Sequence, residues 1–221
     1  SIIIDTIREA YPRHGILAEE SNPIDGEGYI WIIDPLDGTS NYIHDFPHFA
    51  VSIAIKNKQK DRIEHALIYD PLRQETFTAT RGQGAYLDNK QRFTRRLRVS
   101  NRSSIQESLI GISIPSRGFN ALTASINKDA LRTMMSQASG VRRTGSAALD
   151  LAYVAAGRLD AALELELAPW DMAAGVLLVQ EAGGIACDLK GGENYFKTRH
   201  IIVANPKLCP LVLKAISATT S

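Results

Sequence analysis

Cysteine is scarce in this sequence, with 2 among 221 residues, Cys187 and Cys209. They stand in no metal-ligand or redox spacing. Two thiols without a framework imply a reducing compartment, here the cytoplasm, with both side chains as small core residues. No apolar run reaches the length of a membrane span, which argues against a helical membrane protein. No secretory leader is visible. The chain opens at Ser1 directly on a helical pattern, so an N-terminal segment is expected to precede it. Charge of one sign is also missing: 25 Lys+Arg against 24 Asp+Glu leave +1, which speaks against a general binder of nucleic acid or membrane surfaces. There is no repeat, low-complexity tract or long linker. What remains is 44% hydrophobic and 22% charged, the balance of a globular chain with a sizeable core.

Apolar spacing divides the chain into short elements. Ile2, Ile3, Ile4, Ile7 and Tyr11 recur at helical intervals, and Pro12 ends that helix. Strands are predicted over 15–20 and 29–33. Further strands over 49–55, 62–69 and 75–80 read as an antiparallel meander, with Gly82 and Gly84 at a turn. Another strand is predicted over 108–113. The second half mixes helices over 122–135, 146–156 and 170–182 with strands over 140–143, 159–167, 185–189 and 201–204. Ser146 is placed to cap one helix, Pro169 opens the next and Gly183-Gly184 ends it, while a last helix follows Pro206. Elements this interleaved predict a mixed α/β (α+β) chain forming one domain over 1–221. Its rough halves are 1–105, carrying the metal and phosphate motif, and 106–221, carrying substrate recognition.

One stretch asks for an explanation. WIIDPLDGTSNY, 31–42, runs an apolar strand into Asp34, and Asp37 follows three positions later. Pro35 is expected to break the strand, so that Asp37 falls in a turn that returns it beside Asp34. Two carboxylates held that close repel, and one retains a proton unless a divalent cation removes the conflict. Hard oxygen ligands suit Mg²⁺, which keeps waters and often shares its shell with a phosphate. Gly38 lets a ligand approach the backbone, and Gly38 with Thr39 opens a short helix or turn whose N–H groups suit an anion. Taken alone, Asp-Pro and Asp-Gly are common turn pairs. The case for a site rests on further acids: Glu19-Glu20 at an earlier strand end and Asp171 in the first turn of a helix, where the dipole favours a carboxylate anyway.

WIIDPLDGTSNY followed by IHDFPHFAVSIAI resembles the first signature of the inositol monophosphatase family. PWDMAAGVLLVQEAGG, 169–184, is similar to its second signature, and AEES, 18–21, to its glutamate motif. The resemblance runs in order over nearly the whole chain, with Tyr42 where Phe is usual and Ala18 where Gly is usual. It implies a layered α-β-α-β-α sandwich, usually a homodimer, and a Mg²⁺-dependent, lithium-sensitive phosphatase with two or three ions per site. By this resemblance Glu20, Asp34 and the Leu36 carbonyl hold a first Mg²⁺, and Asp34, Asp37 and Asp171 a second. Gly38 and Thr39 bind phosphate, and Thr39 with Glu20 orients the attacking water. Gly145, Ser146 and Ala147 contact the sugar ring, and Glu164 binds inositol hydroxyls. Ala168 stands where other members often carry His or Arg.

The implied reaction is hydrolysis of a phosphate monoester, with myo-inositol monophosphate as substrate, by in-line attack of water between two metals roughly 3.5–4 Å apart. The alternatives are the same chemistry on fructose 1,6-bisphosphate, histidinol phosphate or 3′-phosphoadenosine 5′-phosphate. Members acting on the last usually carry Lys-Glu after Asp-Gly-Thr, whereas this chain has Ser40-Asn41. Some bacterial members also bind the transcription machinery. The segment Lys90 to Arg102, with six basic residues and no acidic one, reads as a solvated hairpin or as a docking patch for such a partner. The five histidines form no ligand set and read as structural or surface residues. Trp31 and Trp170 read as packing residues ahead of the acids. Glu181 reads as structural, and Glu166, expected on the same strand face as Glu164, competes with it for the substrate role.

Overall fold

The protein is described by a computed structural model over residues 2–89, 92–113 and 128–217. Helix α1 (Ile2–Ala10) leads into β1 (Gly15–Ala18), β2 (Tyr29–Asp37) and the short helix α2 (Thr39–Ile43). Strands β3 (Ala50–Asn57), β4 (Arg62–Asp70), β5 (Glu75–Thr80), β6 (Gly84–Asn89) and β7 (Arg92–Arg96) complete a seven-stranded sheet in chain order. β1 pairs parallel to β2 and the rest is an antiparallel meander, as the alternating pattern predicts.

After a 3₁₀ turn (Ile105–Glu107) come β8 (Leu109–Ser113), α3 (Lys128–Gln137), β9 (Gly140–Arg142) and α4 (Ala147–Ala155). Then follow β10 (Ala161–Leu165), α5 (Pro169–Glu181), β11 (Ile185–Cys187), α6 (Tyr195–Thr198), β12 (His200–Ala204) and α7 (Cys209–Ser217). The second sheet has five strands in the order β11-β12-β10-β8-β9. The front of the helix predicted over 122–135 lies outside the described residues, as do Lys90 and Gln91 of the basic segment.

Three apolar clusters stack these elements in layers. Ile7 of α1 packs with Ile16, Ala18 and Ile33 on one face of the large sheet. Ile32, Ile68 and Phe77 of its other face share a core with Leu149 and Leu151 of α4, Leu177 of α5 and Val203 of the second sheet. Leu131 and Met134 of α3 and Val212 and Ile216 of α7 cover the far face of that sheet. The order is therefore α-β-α-β-α, and β10, flanked by α layers on both sides, is buried at every position. Helices α4 and α5 meet closely at Gly175, where a Cβ would lie 2.4 Å from the Leu151 Cβ. A side chain there forces the helices apart, so glycine is retained despite its cost within a helix.

Arg158 bonds Glu75 through two nitrogens, at 2.5 and 2.6 Å, tying the turn after α4 to the large sheet. The Cys187 and Cys209 sulfurs lie 3.5 Å apart, both buried. Glu181 accepts the backbone N–H groups of Gly82 and Gly84, each at 2.8 Å, and so has a structural task. The histidines are dispersed in the same manner: His14 accepts the Trp31 indole N–H at 3.1 Å, and His48 packs edge-on against Tyr153. Among the described residues, no helix is long and apolar enough to cross a membrane.

Candidate metal and phosphate site

The structure corrects the expectation that Pro35 breaks the strand. β2 continues to Asp37, with a bulge: Asp34 opposes Ser52 while Asp37 opposes Ala50, so one extra residue sits on β2. Proline is tolerated there because the bulge leaves its missing N–H without a ladder partner to lose. The bulge, rather than a turn, aims both carboxylates at one place. Asp171 arrives from the first turn of α5, and carboxylate oxygens of Asp34, Asp37 and Asp171 lie within 4.8 Å of one another.

Each acid is oriented by donors. Leu36 N–H donates to Asp34 Oδ1 at 2.8 Å. Ala148 N–H donates to Asp37 Oδ2 at 2.9 Å, and the Ser146 hydroxyl donates to the same oxygen. Ala168 N–H donates to Asp171 Oδ2 at 2.6 Å. These bonds do not offset burial. Desolvation, with Asp37 beside it, pushes Asp34 up to about 8. Desolvation, with Asp171 nearby and despite the Ser146 bond, pushes Asp37 up to about 7. Desolvation and then Glu19 push Asp171 up to about 6.

Three converging carboxyls whose charged forms are disfavoured by burial and mutual repulsion form the donor set that a small hard divalent cation fits, and all-oxygen ligation suits Mg²⁺. A carboxyl raised in the folded state favours folding below its unfolded value near 3.8, and that contribution is lost as pH rises through about 6 to 8. The metal-free protein is therefore expected to melt at lower temperature at ~pH 8 than at ~pH 6, with Mg²⁺ raising the melting temperature more at the higher pH. Calorimetric scans with and without Mg²⁺ check this. A gain that is independent of pH would remove the three acids as its source.

Of the paired acids at the end of β1, Glu19 is the one whose charge raises both Asp34 and Asp171. Its N–H donates to the Ile33 carbonyl at 3.2 Å, which holds it beside the end of β2. The expectation placed Glu20 in that role. Both residues are exposed, and Glu20 is one step further along the turn.

Gly38 takes φ 92 before α2, and a Cβ there would lie 3.0 Å from the His48 carbonyl oxygen, so glycine is required. Thr39 follows in the first turn of α2, and its hydroxyl donates to the Leu36 carbonyl at 3.0 Å. Gly145 has φ 83 and packs on Asn41, whose amide donates to the carbonyls of His48 at 2.7 Å and Thr144 at 2.9 Å. Ser146 caps α4, as predicted. At 1% exposure its hydroxyl is engaged with Asp37 instead of facing a sugar. Ala147 follows, half-buried, as the first residue of α4.

Glu164 on β10 is fully buried. Glu166 does not share its face: it lies beyond the strand at φ 60, exposed, its N–H donating to His200 Nδ1 at 3.2 Å. Ala168, at the start of α5, offers only its backbone to Asp171.

The model of the inositol monophosphatase family matches residues 1–221. The chain is 49% identical over 218 residues to a protein of Pseudomonas aeruginosa named Nus factor SuhB, covering 97% of this chain and 78% of that protein. It is similar to the crystal structure of extragenic suppressor protein suhB from Bartonella henselae, with TM-score 0.90 and 41% identity over 99% of this chain and 81% of that one. It is also similar to the inositol monophosphatase from Anabaena, with TM-score 0.85 and 36% identity over 97% of this chain and 82% of that one.

Proposed function

We propose, for a chain that belongs to the inositol monophosphatase family, that the acidic centre hydrolyses a small phosphate monoester with Mg²⁺, myo-inositol monophosphate first among the candidates. The observation that carries this reading is the convergence of Asp34, Asp37 and Asp171 within 4.8 Å, with burial raising all three above the ordinary carboxylate range. Glu19, Asp34, the Leu36 carbonyl, Asp37 and Asp171 are the groups that would hold the ions, with Glu19 taking the place first expected of Glu20. When bound, Mg²⁺ supplies charge to offset the phosphate dianion and lowers the pKa of a bound water.

The chain's own residues do the rest. The backbone N–H groups of Gly38 and Thr39, at the start of α2, are the donors that would meet the phosphate oxygens. The Thr39 hydroxyl spends its proton on the Leu36 carbonyl, so its oxygen remains an acceptor that orients a water O–H. That water attacks phosphorus in line, the P–O bond to the alcohol breaks, and the alcohol oxygen gains a proton. Gly145 and Ala147 flank the ring, while Glu164, the acid that the resemblance assigns to the inositol hydroxyls, is fully buried with neither oxygen accessible. By the same family likeness we read the enzyme as lithium-sensitive and homodimeric.

A second reading has its own support. The relative in Pseudomonas aeruginosa is named a Nus factor, and β7, at the open edge of the large sheet, carries Arg95 and Arg96. Such an edge could meet an acidic face of the transcription machinery as an added role. The deciding experiment measures phosphate release from inositol 1-phosphate, fructose 1,6-bisphosphate, histidinol phosphate and 3′-phosphoadenosine 5′-phosphate, each with and without Mg²⁺. Mg²⁺-dependent release, fastest from the inositol ester, is expected. Preference for the nucleotide overturns the substrate, and no release from any of them leaves only the second reading.

A further inference from the structure

At the β1 edge of the large sheet, the face turned towards α5 is not fully covered, and Leu17 and Ile30 are only half-buried. Pro169, Val176 and Gln180 run along one side of α5, and together with the sheet they line a cavity of about 720 Å³. Its floor is apolar: Leu17 of β1, Ile30 and Ile32 of β2 and Ile63 of β4. Phe196 of α6 adds a ring to the wall, 5.1 Å from the ring of Tyr195. A volume of this size falls in the range of small-molecule sites, roughly 300–1,000 Å³. None of Asp34, Asp37 and Asp171 lines it.

The charge of this lining is one-sided and incompletely paired. It holds four cations, Lys56, Arg62, Arg81 and Lys197, and two acids, Asp61 and Glu193. Lys56 pairs with Asp61 at 2.5 Å, and Arg62 with Glu64 at 3.0 Å. Among the described residues, Arg81 and Lys197 enter no ion pair, and neither does Glu193. Arg81 is half-buried. Its Nε donates to the Ile63 carbonyl at 2.6 Å, and its Nη2 reaches the Gln180 side-chain oxygen only at 3.5 Å. A guanidinium withdrawn from water is best matched by a carboxylate or phosphate, because neutral oxygens offset its desolvation poorly. The wall supplies no such partner to Arg81.

We propose that this cavity binds a small amphipathic anion, a phosphate or carboxylate head on an apolar body. Arg81 and Lys197 meet the head, and the body lies on Leu17, Ile30, Ile32 and Phe196. The guanidinium fork suits a two-point contact with such a head. A bare inorganic anion is the poorer ligand, since it leaves the apolar floor in water. The site is separate from the acidic centre and does not depend on the hydrolysis proposed there. The two share α5, which carries Asp171 in its first turn and lines the cavity from Pro169 to Gln180.

The test is a fluorescence titration with two dyes. Anilinonaphthalene sulfonate is the amphipathic anion, and N-phenylnaphthylamine, the same rings without the sulfonate, is its neutral match. The wild type is expected to bind the anionic dye about tenfold more tightly than the neutral one. Arg81→Gln keeps a polar side chain and drops the charge. It should raise the Kd of the anionic dye about tenfold and leave that of the neutral dye unchanged. Lys197→Glu should raise the Kd of the anionic dye about fivefold. The Lys197 side chain is exposed and unpaired among the described residues, so this variant keeps the fold even if losing the Ile63 bond loosens Arg81→Gln.

Titrations with and without Mg²⁺ are expected to agree. Equal affinity for the two dyes, or an anionic-dye Kd unchanged in Lys197→Glu, overturns the proposal. So does binding of the anionic dye that requires Mg²⁺, which places it at the acidic centre. A wild type that releases no phosphate yet binds the dyes in the expected pattern keeps this site and loses only the functional reading of the centre.

Discussion

Asp37→Asn is expected to lower Mg²⁺-dependent phosphate release by roughly 10³-fold, about 4 kcal/mol of transition-state stabilisation. The substitution keeps the shape of the side chain, so the fold should be little disturbed. It removes the charge, and it also miswires the local bonding. One Asp37 oxygen accepts from both the Ser146 hydroxyl and Ala148 N–H. If the asparagine carbonyl keeps those bonds, its NH₂ faces the cation, and no orientation satisfies both sides. Burial makes the defect worse because solvent cannot replace the lost ligand. Steady-state release of inorganic phosphate measures it, with the melting temperature as a control for folding. Near-wild-type release from a folded Asp37→Asn protein would sink the metal-centred mechanism.

The second expected result separates neighbours. Glu19→Gln should cost roughly 10²-fold in phosphate release and raise the Mg²⁺ concentration needed for half-maximal rate, while Glu20→Gln should stay within about twofold of wild type. The difference follows from position. Glu19 continues directly from β1, is held by the Ile33 carbonyl and acts on Asp34 and Asp171. The pattern is measured as rate against Mg²⁺ concentration for both variants. If Glu20→Gln is the damaged one, the first expectation from the sequence was right and the reading of β1 is wrong.

These two cases show where sequence reading reached and where it stopped. The meander of β3 to β5 was legible because its strands are half-covered and alternate, and because turns separate them. Helix α5 was legible from Pro169 at its start and Gly183 after its end. The acids at 34, 37 and 171 stood out because each ends or begins an apolar segment. The bulge in β2 was not legible, since Pro35 reads locally as a breaker and only pairing with β3 reveals the extra residue. The choice between Glu19 and Glu20 turns on one residue of strand length. Asp150 gave no local signal at all: in LDLAY it looks like an ordinary helix acid, yet it is buried and accepts the Thr144 hydroxyl. Ser146 was recognised as a cap, but its bond to Asp37 spans 109 positions and belongs to tertiary packing.

The order of the second sheet sets a timetable for assembly. β10, which carries Glu164, has β8 on one side and β12 on the other. β8 is made before β10, but β12 begins only at His200, in the last stretch of the chain. A growing chain therefore completes the large sheet early and holds β10 with one open edge until residues 200–204 are made. During that interval an apolar strand with an internal acid is exposed to wrong pairing. Its correct partner comes from residues 200–204, so truncation ahead of His200 should be felt first as misassembly, well before any ligand is lost.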